Sequence, residues 1–148
     1  MNVQEIAEDF TTKAFVSKDL DSAAAYFSDD FQFSGPVPEP IDGKTWMALM
    51  KTMNKAFPDI DYHARTLGVE GDVVRVTNKL TGTHTVDLDL SGMGMGVIPA
   101  TGKSFSLPEE LGEATVKNNK ITSMHINAVK DGGLMGILKQ LGVAPPQG

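Results

Sequence analysis

Cysteine is absent from the chain, which removes disulfides, thiolate metal sites and cysteine nucleophiles from consideration. The absence also fits a reducing compartment. Histidine is scarce, at positions 63, 84 and 125 only, and shows no local ligand spacing such as H-x-x-x-H. No metal site is therefore expected. Positive charge is in deficit: 13 Lys and Arg stand against 19 Asp and Glu, a net charge of −6 with no basic run. Nucleic acid is not an expected partner, because neutralising phosphates needs a basic patch. Anionic membrane surfaces are disfavoured on the same ground, and no apolar run approaches the roughly 20 residues that cross a bilayer. The opening MNVQEIAEDFTTKAF is amphipathic and acidic, unlike a signal peptide, so a cytoplasmic protein is expected. What is present, 148 residues of which 41% are hydrophobic, predicts one domain over 1–148, with 143–148 as a flexible tail.

The periodicity changes once along the chain. Val3, Ile6, Ala7, Phe10 and Ala14 recur at helical spacing, and Leu20, Ala23, Ala24 and Phe27 mark a second short helix capped by Ser17 or Asp19. Phe31-Gln32-Phe33 reads as a short strand, and SGPVPEPIDG as a loop. Asp42 is a plausible cap for a third helix bearing Trp46, Leu49, Met50, Met53 and Phe57, which Pro58 ends. From Ile60 the period becomes 2. A strand near 60–65, a turn at Glu70-Gly71-Asp72, a long strand VVRVTNKLTGTHT and a strand near 104–117 follow. Asn118-Asn119 then predicts a two-residue hairpin turn, because asparagine tolerates the left-handed backbone of a type I′ turn. The strand 120–129 pairs back, and a helix over 134–141 precedes the tail. This is an α+β order: helices covering one face of a curved antiparallel meander of four strands.

One strand raises a functional question. KITSMHINA places His125 where an ordinary sheet wants valine. A two-residue turn pairs Lys117 with Lys120, which sets His125 opposite Gly112 and Glu110 opposite Asn127. Alternation then gathers Glu110, Gly112, Ser123, His125 and Asn127 on one face. Diagonal neighbours lie about 7–8 Å apart, so Glu110 is within reach to orient or charge the imidazole, and the glycine leaves room for a small molecule. The plainer reading is a hydrogen-bonded structural histidine, with Glu110 in solvent.

Two glycine-rich stretches come close to nucleotide motifs and fail. GVIPATGKS has one residue too many for a phosphate-binding loop, contains Pro99 and leads into a strand rather than a helix. Gly92, Gly94 and Gly96 lack the βαβ surroundings of a dinucleotide fingerprint. A lid-like loop whose methionines adapt to an apolar ligand is one reading of this stretch, and a disordered connection the other.

Six segments occur in an order that resembles the nuclear-transport-factor-2-like (NTF2-like) superfamily, and within it the SnoaL-like polyketide cyclases. They are FQFSGPVPEPIDG, AFPDI, TGTHT, IPATGKSFS, KITSMH and ILKQLGV. The resemblance implies a cone-shaped barrel, a homodimer formed through the sheet, and an apolar pocket between sheet and helices. It also implies ring closure by intramolecular aldol chemistry with no cofactor. The family's last strand carries a tryptophan and, four positions later, an acid; here His125 and Val129 stand at those places. Extra residues appear around Lys130, Asp131, Gly132 and Gly133. The family's acid/base is therefore not carried over.

The expected function is a cyclase- or isomerase-type enzyme acting on an apolar carbonyl compound. His125 is the expected acid/base, Glu110 its orienting partner and Asn127 a donor to the enolate oxygen. Tyr26, Trp46, Met50, Phe57, Gly112 and Ser123 are expected at the pocket. The alternative is a non-catalytic ligand-binding or dimerisation protein. A third reading, epoxide hydrolysis, calls for several converging acids, of which only Glu110 is evident.

Overall fold

The computed structural model describes residues 2–37 and 39–143; the expected flexible tail lies almost wholly outside them. Helix α1 (Val3–Thr11) starts from a capping box, in which the Asn2 side chain accepts from the Glu5 N–H and Glu5 reaches back to the Asn2 N–H. The expected run to Ala14 does not stay α-helical: Thr12–Val16 form a π-helical turn. The Thr11 hydroxyl donates to the Ala7 carbonyl just before it, a bond that bends helices. The turn keeps Ala14 buried and brings the Phe15 ring within 5.0 Å of Tyr62.

Asp19, of the two candidate caps, accepts from the Ser22 N–H and starts α2 (Leu20–Ala24). Strand β1 (Phe27–Ser34) and the short β2 (Ile41–Asp42) lead to α3 (Gly43–Ala56), capped by Asp42 as the sequence predicts. The strand expected near 60–65 forms later, as β3 (Arg65–Glu70). A left-handed backbone at His63 and a lone bridge between Asp61 and Thr81 replace regular pairing before it.

The long strand expected after the turn divides into β4 (Val73–Asn78) and β5 (Thr81–Thr83). Next come β6 (Leu88–Asp89), a 3₁₀ turn (Ser91–Met93), β7 (Val97–Ile98) and β8 (Ser104–Ser106). Strands β9 (Glu110–Lys117) and β10 (Lys120–Ile126) form a hairpin before α4 (Gly133–Gln140). The main sheet has six strands, ordered β2-β1-β10-β9-β4-β3, rather than the expected four. The addition is β1, which pairs parallel to β10 and carries β2 with it. The remaining strands form two small sheets, β5-β8 and β6-β7.

Helices α1 and α3 lie over the concave face of the sheet, where the apolar core forms. Phe10, Phe27, Phe31 and Trp46 pack as one ring group, with the Phe27 and Phe31 rings stacked at 3.9 Å. Burying each such side chain contributes roughly 1.5–3 kcal/mol. Among the described residues no helix is long and apolar enough to cross a membrane.

The β9-β10 hairpin decides which residues meet the core. Asn118 and Asn119 both take positive φ, 52° and 62°, as a two-residue turn requires. Lys117 pairs with Lys120 and Val116 with Ile121, as expected. A bulge at Thr122 then slips the register by one, so Ser123 pairs with Thr115, His125 with Glu113 and Ile126 with Gly112. The expected His125–Gly112 pairing is corrected accordingly. Without the slip, Ser123 and His125 face the core while Met124 and Ile126 face water. With it, Met124 and Ile126 are 5% and 4% exposed. Two buried side chains, about 1.5–3 kcal/mol each, outweigh one interrupted ladder step at about 0.5–1.5 kcal/mol.

Candidate functional site

Between the sheet and the helices lies a cavity of about 440 Å³. Its walls are mostly apolar: Phe10 and Phe15 from the first helical segment, Met50 and Met53 from α3, Met124 and Ile126 from β10, and Leu134 and Ile137 from α4. Met95, between two glycines of left-handed backbone in the loop expected to be lid-like, also lines it.

The polar lining gathers at one end of the sheet, where Arg65 pairs with Thr77 and Asn78 with Glu110. Among the described residues Glu110 is the only carboxylate in the lining. It is 3% exposed. Burial pushes its carboxyl above the ordinary value, because desolvation penalises the charged form, and a backbone N–H from Gly133 partly offsets this.

That N–H comes from the turn before α4, which seats the carboxyl: Gly133 N lies 3.4 Å from Glu110 Oε1. The turn demands glycine twice over. A Cβ on Gly132 would stand 2.7 Å from Val129 Cγ2 and 3.4 Å from Glu110 Cδ, while Gly133 has φ +66°. Asp131 fastens the turn to α4 through Lys139, at 2.8 Å, and this partner holds its carboxyl below the ordinary range. Asp131 is exposed and outside the cavity lining.

Of the residues expected at the site, Glu110 and Met50 line the cavity and the others do not. The His125 side chain is exposed on the outer face of the sheet, with Nδ1 2.8 Å from the Ser34 hydroxyl, because the bulge reverses its direction. Its carboxylate neighbour across the strands is Glu113 rather than Glu110. Asn127 is exposed beyond the end of β10, where its N–H donates to the Leu111 carbonyl.

Gly112 lies under β10 itself; a Cβ there would meet the His125 carbonyl oxygen at 2.4 Å. Ser123, beyond the bulge, pairs with Thr115. The Tyr26 hydroxyl donates to Asp9, which also holds Lys13 at 2.6 Å. Trp46 is buried within the ring group, and Phe57 is buried against Phe105 and His84.

Beyond Thr11, Arg65 and Thr77, two further polar lining residues that the sequence reading passed over are Asn78 and Tyr62. Asn78 follows Val74 and Val76 on the inward face of β4, and a polar residue in that alternation was the available signal. Tyr62 lines the cavity with its hydroxyl donated to Asn54 Oδ1 at 2.7 Å, and burial drives its pKa far upward. His84 has a structural place. Its Nδ1 accepts the Thr101 N–H, closing the base of the 85–100 segment, and burial pushes its pKa down. GVIPATGKS thus includes a turn tied to a buried histidine. Among the described residues no group of three or more His, Asp or Glu is placed to hold a metal ion.

No curated protein matches the chain in sequence. Solved structures share its fold. AclR, a candidate hydroxylase from Streptomyces galilaeus, superposes with a TM-score of 0.72 at 19% identity, covering 99% of this chain and 84% of its own. A candidate SnoaL-like polyketide cyclase from Jannaschia sp. CCS1 gives 0.70 at 15% identity, covering 99% and 97%. An epoxide hydrolase of the LEH-like type from M. tuberculosis gives 0.61 at 15% identity, covering 95% and 92%. These likenesses establish the NTF2-like fold, and the sequence itself matches one family over residues 5–141. The chain belongs to the SnoaL-like polyketide cyclase family.

Proposed function

We propose that this chain is a cofactor-free enzyme of cyclase or isomerase type, acting on an apolar carbonyl compound with Glu110 as its acid/base. The observation that carries the reading is the buried carboxyl at the polar end of an apolar cavity. Burial raises its proton affinity, which makes the ionised form a stronger base than a solvated carboxylate. The carboxylate takes the proton α to a carbonyl, and the electron pair moves to the carbonyl oxygen as an enolate. In ring closure the α-carbon bonds to a second carbonyl carbon of the same molecule, and the proton on Glu110 passes to the new alkoxide. In isomerisation the proton returns to a different carbon. The cavity walls hold the chain in reactive geometry.

Positioned proton transfer of this kind contributes about 10²–10⁴-fold to rate. The test needs no knowledge of the natural substrate: 2-tetralone is incubated in deuterium oxide and loss of its α-protons is followed by NMR. Wild type is expected to speed the exchange and Glu110→Gln to lose most of that acceleration. Equal exchange by both proteins overturns the reading. Tight binding of the ketone with no exchange in wild type favours the non-catalytic alternative. The proposal includes a homodimer through the outer sheet face, where Leu111 is 48% exposed; sedimentation velocity tests it.

A further inference from the structure

Helix α4 begins without a cap of its own. Its N-cap position is Gly132, which has no side chain to accept the free N–H groups of the first turn. One of those groups, the Gly133 N–H, donates to Glu110 Oε1 across 3.4 Å. A buried carboxyl from β9 therefore stands where a capping side chain would, at the positive end of the helix dipole. At that length a small displacement of the turn decides whether the bond is made.

Three residues outside the cavity lining hold the turn in place. Asp131 takes φ 64°, in the left-handed region that aspartate tolerates better than most residues. Its carbonyl oxygen lies so close to α4 that a Cβ on Gly136 would stand 2.1 Å from it. Its carboxylate accepts from Lys139 Nζ at 2.8 Å.

The proposed chemistry gives this seat a use. A glutamate that burial alone acts on can reach a pKa of about 8–9; it is then protonated at neutral pH and takes no proton from carbon. Burial does raise the Glu110 carboxyl, and the Gly133 N–H opposes it. Charged side chains on the surrounding elements are exposed and screened by water: Glu8 on α1, Arg65 on β3, Lys79 after β4, Glu109 before β9 and Lys130 in the turn. His125 of β10 stands on the opposite face of the sheet.

We infer that Asp131, Gly136 and Lys139 are positioning residues for Glu110: they seat the first turn of α4 so that its Gly133 N–H meets the carboxylate that abstracts the proton. The inference rests on the proposed function for the use of that carboxylate, but the seating itself is read from a titration with no substrate present.

The experiment is a carbon-13 titration of the Glu110 carboxyl in wild type, Gly136→Ala, Lys139→Met and Lys139→Arg. Gly136→Ala, whose added carbon has to displace the turn, is expected to raise the midpoint by about one pH unit or more, the worth of a hydrogen bond to a charged group. Lys139→Met is expected to raise it by less, since exposed ion pairs are weak, and Lys139→Arg to keep the wild-type value. The pH profile of 2-tetralone exchange is expected to move with the midpoint, whereas a merely structural role lowers stability and moves neither.

A midpoint that stays or falls in Gly136→Ala overturns the inference. So does one that stays in Lys139→Met, which alters only an exposed side chain and does not depend on the folding of the first variant. A raised wild-type midpoint that no variant moves overturns the inference alone. A wild-type midpoint at the ordinary glutamate value overturns the proposed function with it.

Discussion

On the inner face of the sheet Glu110 is 3% exposed among apolar side chains, while on the outer face His125 stands in solvent against Ser34. The two residues lie on adjacent strands, and each has a polar neighbour across the sheet: Asn78 beside Glu110, Glu113 beside His125. Their chemistry diverges because of surroundings rather than residue type. Water screens the outer row of Ser34, His125, Glu113 and Arg75. The inner row is buried, so Glu110 shifts its proton affinity and Asn78 Oδ1 has no hydrogen-bond partner.

The contrast depends on one residue, and removing it is the harshest test. Deletion of Thr122 should abolish the bulge and turn Met124 and Ile126 outward while Ser123 and His125 turn inward. The loss of two buried side chains predicts a destabilisation of about 3–6 kcal/mol, a large part of a typical total of about 5–15 kcal/mol. Denaturant unfolding measures it; a variant as stable as wild type would show that the bulge does not set the faces. Less drastically, Met124→Ala should cost about 2–5 kcal/mol by leaving a cavity. Its neighbour substitution His125→Ala should stay within about 1 kcal/mol, since it removes one exposed hydrogen bond. Equal costs for the two would contradict the assignment of faces.

A finer test uses pH. Glu110 is protonated more readily in the folded chain than in the unfolded one, because burial raises its pKa. Between the ordinary value and the raised one the native state binds more protons, so wild-type stability should fall as pH rises through that window. Glu110→Gln should lack this fall and be at least as stable as wild type above the window. Unfolding curves of the two proteins at matched pH values measure the difference. A parallel pH dependence would place Glu110 in an environment like that of the unfolded chain.

The elements were legible in the sequence where local chemistry decides them. Asp42 and Asp19 cap helices because a side-chain oxygen meets free N–H groups, and paired asparagines make the hairpin turn. The register beyond that turn was not legible from the turn alone. It is set by the competition between ladder continuity and burial, and the apolar residues Ile121, Met124 and Ile126 change parity at the bulge. Weighing that change over simple alternation would have turned His125 outward. Glu110 was found because alternation along the strand near 104–117 puts it on one face with Gly112, whereas Asn78 lay unnoticed within VVRVTNKL. The parallel joining of β1 to β10 links residues too distant in the chain for any local pattern to announce.

The most direct measurement is a carbon-13 titration of the Glu110 side-chain carboxyl, assigned by its absence in Glu110→Gln. The expected midpoint lies above the ordinary glutamate value of about 4.3, and it should move further when naphthalene fills the cavity. A midpoint at the ordinary value, unmoved by the probe, would place Glu110 in water and contradict the account of the site.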